Sequence, residues 1–270
     1  MLISTVILSF NSARSLRRCL DDLIAALQPF DQPCEVVIVD NGSRDDSPAI
    51  IREYMRSHPS LVRAHFLEKN TGTTVSRNLA LRSVTGRYIQ VLDSDAYVNH
   101  AALSELMRVL AADARTGIAV PRLFYGSGSF QLSCDVFPTL FHKLRRFLFL
   151  RRMEAMEQHL QAVTEPTRVD YAISACWLMR RDAFEKTGLL DERIFYSPED
   201  VDYCLRMWEA GFRVTYVPSA EVIHDAQELS RGFRLTRFHF SHLKGLLYLL
   251  KKHRYFFGRS RLYRRLRRFD

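Results

Sequence analysis

The chain has few cysteines and none that pair by motif. Cys19, Cys34, Cys134, Cys176 and Cys204 are odd in number, widely spaced, and form no CxxC. That argues against a zinc site and against a disulfide framework, and it fits a reducing, cytoplasmic compartment. Glycine fingerprints are also missing. After the first apolar run the chain reads Ser9-Phe10-Asn11-Ser12-Ala13, so neither the dinucleotide motif of dehydrogenases nor a P-loop is present. Leu2–Phe10 lacks a basic leader and a small-residue cleavage site, so it reads as a strand and not as a signal peptide. Long apolar runs are absent too: Leu246–Leu250 is far short of a membrane span.

Acidic residues are scarce in one region. Residues 231–270 hold 13 Lys/Arg and a single acid, Asp270, whereas the preceding 230 residues hold 26 Lys/Arg and 29 Asp/Glu. The net charge of +9 therefore belongs to the tail, and the body is mildly acidic. Such asymmetry points to an anionic surface as partner. The 270 residues suit one large domain or one domain with an appended lobe, and 47% hydrophobic residues allow a full core.

Apolar runs alternate with helical periodicity through the first half. Strands are expected at Leu2–Ser9, Glu35–Val39, Arg63–Leu67 and Tyr88–Leu92. Helices are expected after Asn11 or Ser12, at Ser47–Ser57, at Thr73–Val84 and at Ala101–Ala112. This alternation predicts an α/β fold: a mostly parallel central sheet with helices on both faces. Ligands of such sheets bind beyond the carboxyl ends of the strands, and Ser9, Asp40 and Asp93 each fall at such an end. The second half is less regular. Strands are expected at Ile118–Tyr125, Phe130–Ser133, Val169–Met179, Arg213–Val217 and Glu221–Ile223, and helices at Phe141–Gln161 and Val201–Ala210.

Two acidic groups carry the chemistry. Asp93-Ser94-Asp95 follows an apolar strand, and two carboxylates there can hold Mg²⁺ or Mn²⁺ beneath a diphosphate. Glu199-Asp200-Val201-Asp202 precedes a helix. Asp202 suits the helix dipole, while a neighbouring carboxylate can take a proton from an acceptor hydroxyl. His224, after a short strand, is by position alone more often structural than a ligand.

Taken together, the segments resemble the inverting glycosyltransferases of family 2, which have the GT-A fold. They are Val6–Asn11, Val37–Ser43, Asn70-Thr71-Gly72 with Arg77-Asn78, Leu92–Asp95, Ala175–Arg181, Gly188–Glu192, Glu199–Cys204, Ala210–Phe212 and Val222–His224. The match runs in order over about residues 2–225, closest in character to rhamnosyltransferase-like members of bacterial surface polysaccharide synthesis. The resemblance implies that Ser9 and Asn11 line the nucleotide pocket, that Asp40 contacts the base, and that Arg77, Asp93 and Ser94 lie near the nucleotide sugar. It implies a divalent cation, Mg²⁺ or Mn²⁺, on Asp95 and His224. Asp200 resembles the catalytic base, with Glu199 beside it. Trp177 either borders the acceptor or fills the core. The partners implied are a nucleotide-sugar donor and a saccharide or lipid-linked saccharide acceptor. The sequence departs from the usual pattern at Ser197-Pro198, at Asp225-Ala226 and in the stretch after Asn70.

The expected organisation is a GT-A domain over 1–230, with halves 1–115 and 116–230, and a basic helical extension over 231–270. The tail interleaves Leu, Tyr and Phe with arginine, as an amphipathic helix on anionic lipid does. Membrane contact is expected for the last twelve residues. Leu243–Leu250 suits either the membrane or packing on the body. The expected location is peripheral, at the inner face of the cytoplasmic membrane. A non-enzymatic protein using the basic tail on a membrane or nucleic acid, and a nucleotidyltransferase, are the rival readings. No nucleic-acid-binding motif accompanies the basic tail, so nucleic acid is not expected as a partner.

Overall fold

The computed structural model describes residues 1–140, 160–225 and 237–266. Most of the expected basic segment Phe141–Gln161 lies outside these residues, as do 226–236 and the last four positions.

Four strands, mostly apolar apart from the edge strand β3, form one half of the sheet: β1 (Ile3–Ser9), β2 (Glu35–Asp40), β3 (Val62–Phe66) and β4 (Tyr88–Asp93). They are parallel, in the order β3-β2-β1-β4. Continuous apolar strands need cover on both faces. On one face lie α1 (Ala13–Leu27), α2 (Ser47–Ser57) and α4 (His100–Ala112), which bury Leu16, Leu20, Ile51 and Leu106 against Ile3, Ile7 and Ile38. On the other lie α3 (Thr73–Leu81) and later helices, where Ala80 and Leu81 meet Val6, Val37 and Val91. Each fully buried Leu, Ile or Val contributes about 1.5–3 kcal/mol over leaving it exposed.

The sheet continues through the second half of the chain, which is where the sequence expectations loosen. The full order is β3-β2-β1-β4-β11-β6-β12-β5, with β5 (Ala96–Tyr97), β6 (Thr116–Phe124), β11 (Cys176–Arg180) and β12 (Arg213–His224). β11 runs antiparallel between β4 and β6. The sheet is thus mixed, with a parallel majority. The single strand expected over Val169–Met179 is three: β9 (Thr167–Val169), β10 (Tyr171–Ala172) and β11. β9 joins β12 and β10 joins β8 (Cys134–Asp135). The two short strands expected around 213–223 are one, β12. It pairs Val217 with Pro121 and Glu221 with Arg122, so residues 218–220 bulge out of the ladder. The hairpin from β6 to β7 (Phe130–Gln131) aligns Leu123 with Gln131.

The remaining helices are α5 (Arg181–Thr187), α6 (Glu199–Glu209), α7 (Arg237–His253) and α8 (Ser260–Leu266). α7 and α8 are not detached from the body. Leu246, Leu249, Leu250, Leu262 and Leu266 belong to the same buried cluster as Trp177, Tyr203 and Leu205. The stretch from Leu246 to Leu266 therefore contributes to the core of the GT-A body. No helix among the described residues is long and apolar enough to cross a membrane. All five cysteines are buried and unpaired.

Candidate active site

The parallel registers bring three strand tips level. Ser9 lies opposite Asp40, and Leu8 opposite Asp93. The residues expected to bind a nucleotide therefore meet along one edge of the sheet. The Ser9 hydroxyl is 2.7 Å from that of Ser12, which lies just before α1. Asn11 has a left-handed backbone, φ 51°. This strain is held by two hydrogen bonds: its N–H donates to Ser43 Oγ, and its Oδ1 accepts from the Arg44 N–H. Asp40 is buried. Its Oδ2 accepts from the Ser43 N–H at 3.1 Å, while Oδ1 has no partner. A buried carboxylate oxygen without a donor is costly, and a donor arriving on a ligand would satisfy it.

Beyond β4 the chain makes a two-residue turn, Ser94-Asp95, into β5. β5 pairs with the far end of β12, with His224 opposite Ala96. That pairing sets the imidazole beside the acidic turn. His224 Nε2 is 3.4 Å from Asp95 Oδ1 and 3.9 Å from Asp93 Oδ2. One ligand atom from each of Asp93, Asp95 and His224 falls within 4.8 Å of the others. Two hard carboxylates and one imidazole suit Mn²⁺ or Mg²⁺. Burial pushes the His224 imidazole down, but bonding to Asp95 and the charges of Asp93 and Asp95 outweigh it, so its pKa is raised. Burial also raises Asp93, against the pull of Arg77 and with Asp95 adding to it. Acids held this close make a cation favourable between them.

Arg77 connects this cluster to the second acidic motif. From α3 its guanidinium, 3% exposed, donates to Asp93 Oδ1. Its Nη1 donates to Ser174 Oγ at 2.7 Å and reaches Glu199 Oε1 at 3.4 Å. Glu199 opens α6 and also accepts from Ser174 Oγ at 3.3 Å. Burial, then the charge of Asp200, pushes the Glu199 carboxyl up to about 8. Asp200 is next in the chain, partly exposed, with Oδ1 accepting from the Val201 N–H. Arg77, a buried cation, therefore links the Asp93 cluster to Glu199 and its neighbour Asp200.

The loop before α6 is held from two sides. Thr73 N–H donates to the Phe195 carbonyl, and the Thr74 hydroxyl donates to that of Ile194, both at 2.7 Å. Gly72, at φ 90°, lies so close to Phe195 that a Cβ would collide with its carbonyl and ring. From the other side His242 Nδ1 is 2.8 Å from Ser197 Oγ. Asp202 is fully buried. It binds Arg206 at 2.9 Å, Lys252 at 2.7 Å and His253 at 2.8 Å.

The structure thus brings together Ser9, Asn11, Asp40, Arg77, Asp93, Asp95, Glu199, Asp200 and His224, with Ser94 in the turn between the two aspartates. Trp177 does not join them. It sits inside the sheet opposite Val91, 1% exposed, and stacks on Tyr203 at 5.7 Å. The acceptor-bordering alternative for Trp177 is thereby corrected to a core role, because β11 is a central strand covered by α6. Asp202 likewise does more than complement a helix dipole: it anchors α7. Two residues escaped the sequence reading. Ser174 bridges Arg77 and Glu199. Gln131 Oε1 lies 3.0 Å from His224 Nδ1. Neither carries a motif signal, since a lone Ser or Gln acquires its role only from its neighbours in space.

Comparison with known proteins bears on the family and the fold. The chain is 29% identical over 236 residues to the N-acetylglucosaminyl-diphospho-decaprenol L-rhamnosyltransferase of Mycobacterium tuberculosis, covering 81% of this chain and 74% of that one. Among solved structures, it superimposes on GalNAc-T7 with UDP, GalNAc and Mn²⁺ (TM-score 0.67, 18% identity, 93% of this chain and 48% of that one). It superimposes likewise on the mannosyltransferase PcManGT of Pyrobaculum calidifontis with GDP-Man and Mn²⁺ (TM-score 0.62, 19% identity, 93% and 63%). The chain spans less than two thirds of the length of either of these structures, and they speak to the GT-A fold alone. The model of the family described as glycosyl transferase family 2 matches residues 4–188. This chain belongs to glycosyl transferase family 2.

Proposed function

We propose that the chain is an inverting glycosyltransferase. It moves a sugar from a nucleotide-diphosphate donor, a UDP- or dTDP-sugar, to a hydroxyl of a glycan or lipid-linked saccharide in surface polysaccharide synthesis. The observation that carries this reading is Arg77, which touches Asp93 at the strand tips and Glu199 beside Asp200. A displacement needs donor and base on opposite sides of one small space, and this link supplies it.

In this reading Ser9, Asn11 and Asp40 hold the nucleoside, with Asp40 Oδ1 accepting from the base. Asp95 and His224, with Asp93 beside them, would hold Mg²⁺ or Mn²⁺. When bound, the ion neutralises charge developing on the leaving diphosphate. Arg77 adds fixed positive charge at the same place. Asp200 takes the proton from the acceptor hydroxyl as its oxygen attacks the anomeric carbon and the diphosphate departs. Burial and the charge of Asp200 raise the Glu199 carboxyl, which leaves the more exposed Asp200 as the member of the pair that takes the proton. One displacement inverts configuration, so no glycosyl-enzyme forms. The reading also puts the chain in the cytoplasm, where nucleotide sugars are available.

The test is Asp200→Asn. Binding of UDP or dTDP by calorimetry should persist, while transfer should fall by about 10²–10⁴. Transfer at near wild-type rate would remove Asp200 from its role. Undiminished activity in EDTA would do the same for the metal.

A further inference from the structure

We infer that the outward face of α7, with the turn after it, is a docking surface for an anionic lipid bilayer, placed beside the acceptor end of the cleft. This rests on the glycosyl-transfer reading only for its purpose. The surface itself stands on the following observations.

The two sides of α7 differ in kind. Its inner side is fixed to the body. Leu246, Leu249 and Leu250 are buried, Tyr248 donates to Asp191 at 2.8 Å, and Lys252 bridges Asp191 and Asp202 at 2.7 Å each. Among the described residues, the outer side has no such partners in the core. Leu243 and Leu247, one turn apart, are 51% and 45% exposed. Lys244, Lys251 and Arg254 are exposed around them, and the following turn presents Phe257 at 84% exposure. No Asp or Glu occurs between residues 229 and 269.

Apolar side chains interleaved with cations, on a segment that itself carries no acid, match the boundary between acyl chains and anionic headgroups. A nucleic acid would use the cations, but Leu243 and Leu247 offer it neither charge nor a stacking face. The position is also informative. His242 Nδ1 lies 2.8 Å from Ser197 Oγ, and Gly245 packs against the Ser197 carbonyl. Immediately before Ser197, Phe195 and Tyr196 are each 47% exposed. The exposed apolar face thus adjoins the loop that leads into Asp200. A lipid-linked acceptor would reach that loop from the bilayer side.

This adds α7 to the membrane contact expected of the last twelve residues, of which 267–270 lie outside the described residues. In α8 Leu262 and Leu266 are buried and the Tyr263 hydroxyl donates to Asp170, so the apolar residues of that segment are already used. Only Arg261 and Arg264 of α8 remain as outward charge.

The experiment compares the full chain with the triple variant Leu243→Ser/Leu247→Ser/Phe257→Ser in co-sedimentation with vesicles of phosphatidylglycerol and phosphatidylcholine, and of phosphatidylcholine alone. The wild type should bind the anionic vesicles, release at high salt, and bind the zwitterionic ones poorly. The triple variant should bind the anionic vesicles at least about tenfold more weakly. UDP and dTDP binding is measured on both proteins. It should be unchanged by the triple substitution, and its absence from the wild type would count against the glycosyl-transfer reading alone. Equal vesicle binding by wild type and variant, or none by wild type, overturns the docking surface. So does displacement of the vesicles by an equal mass of duplex oligonucleotide.

Discussion

His224 Nδ1 lies 3.0 Å from Gln131 Oε1, so the imidazole is oriented with Nε2 toward Asp95 and Asp93. A neutral ring that donates from Nδ1 keeps the Nε2 lone pair free for a metal. Gln131 is supplied by the β6–β7 hairpin, and the same hairpin packs Gly126 against the Asp225 carboxylate. The Asp225 N–H in turn donates to the Asp95 carbonyl. Gln131→Leu should therefore weaken Mn²⁺ binding by about 10- to 100-fold. Electron paramagnetic resonance of free Mn²⁺, without donor, measures this. Gln131→Glu, which keeps the acceptor, should restore binding, and equal affinity in all three proteins would deny Gln131 the role.

Asp40 should matter to the nucleotide more than to the fold. Its Oδ1 is buried without a donor, so a ligand N–H has a place to bind. Asp40→Ala should lower affinity for UDP and dTDP by about 10- to 100-fold, the range for a hydrogen bond to a charged group. Calorimetric titration reads the change.

Glu199 gives the fold a defined pH dependence. Its ordinary value of 4.5 rises to about 8 through burial and the charge of Asp200. The folded protein therefore holds a proton that the unfolded chain releases. Its contribution is present below the ordinary value and is lost as pH rises toward the folded one. Glu199→Gln keeps the shape of the protonated form. Between pH 5 and pH 8 the variant should gain thermal stability relative to wild type, on the order of several °C. Its transfer rate should fall by less than about tenfold, against about 10²–10⁴ for Asp200→Asn.

Asp202 and His253 tie α7 to α6. Burial raises the Asp202 carboxyl, but His253, Arg206 and Lys252 outweigh it and hold it well below the usual range. Its contribution is present above the ordinary carboxylate value and is lost as pH falls below it. His253 is depressed by burial yet raised overall by Asp202 and Glu209, so its share is lost as pH rises through that raised value. Asp202→Asn should cost about 3–5 kcal/mol at pH 6, because it strands buried cations. Urea unfolding at pH 6 and pH 3 should show the deficit shrinking in acid.

Much of the first half was legible in the sequence because its strands are covered on both sides. Val36–Val39 and Ile89–Leu92 could hardly be anything else, and the spacing of Leu16, Leu20 and Leu23 fixes the buried side of α1. The second half was harder. The turn at Ser174 breaks one apolar run into separate strands, and β12 hides a bulge that reads as a gap between two strands. The acids and His224 were recognised through their motif. Their connections were not, because Arg77 meets Glu199 across 122 positions and Gln131 meets His224 across 93. Nothing local in the sequence encodes those meetings.

The looped-out residues 218–220 of β12 have a consequence for how far the chain tolerates change. Because these residues lie outside the ladder, their number does not decide which face His224 takes. That face is fixed by the pairing of Glu221–Ile223 with Arg122–Phe124 and of His224 with Ala96. Shortening or lengthening the arc while those pairs are kept leaves the imidazole over the acidic turn. Homologues and engineered variants that hold His224 beside Asp93 and Asp95 should therefore vary in length here, by odd or even numbers alike.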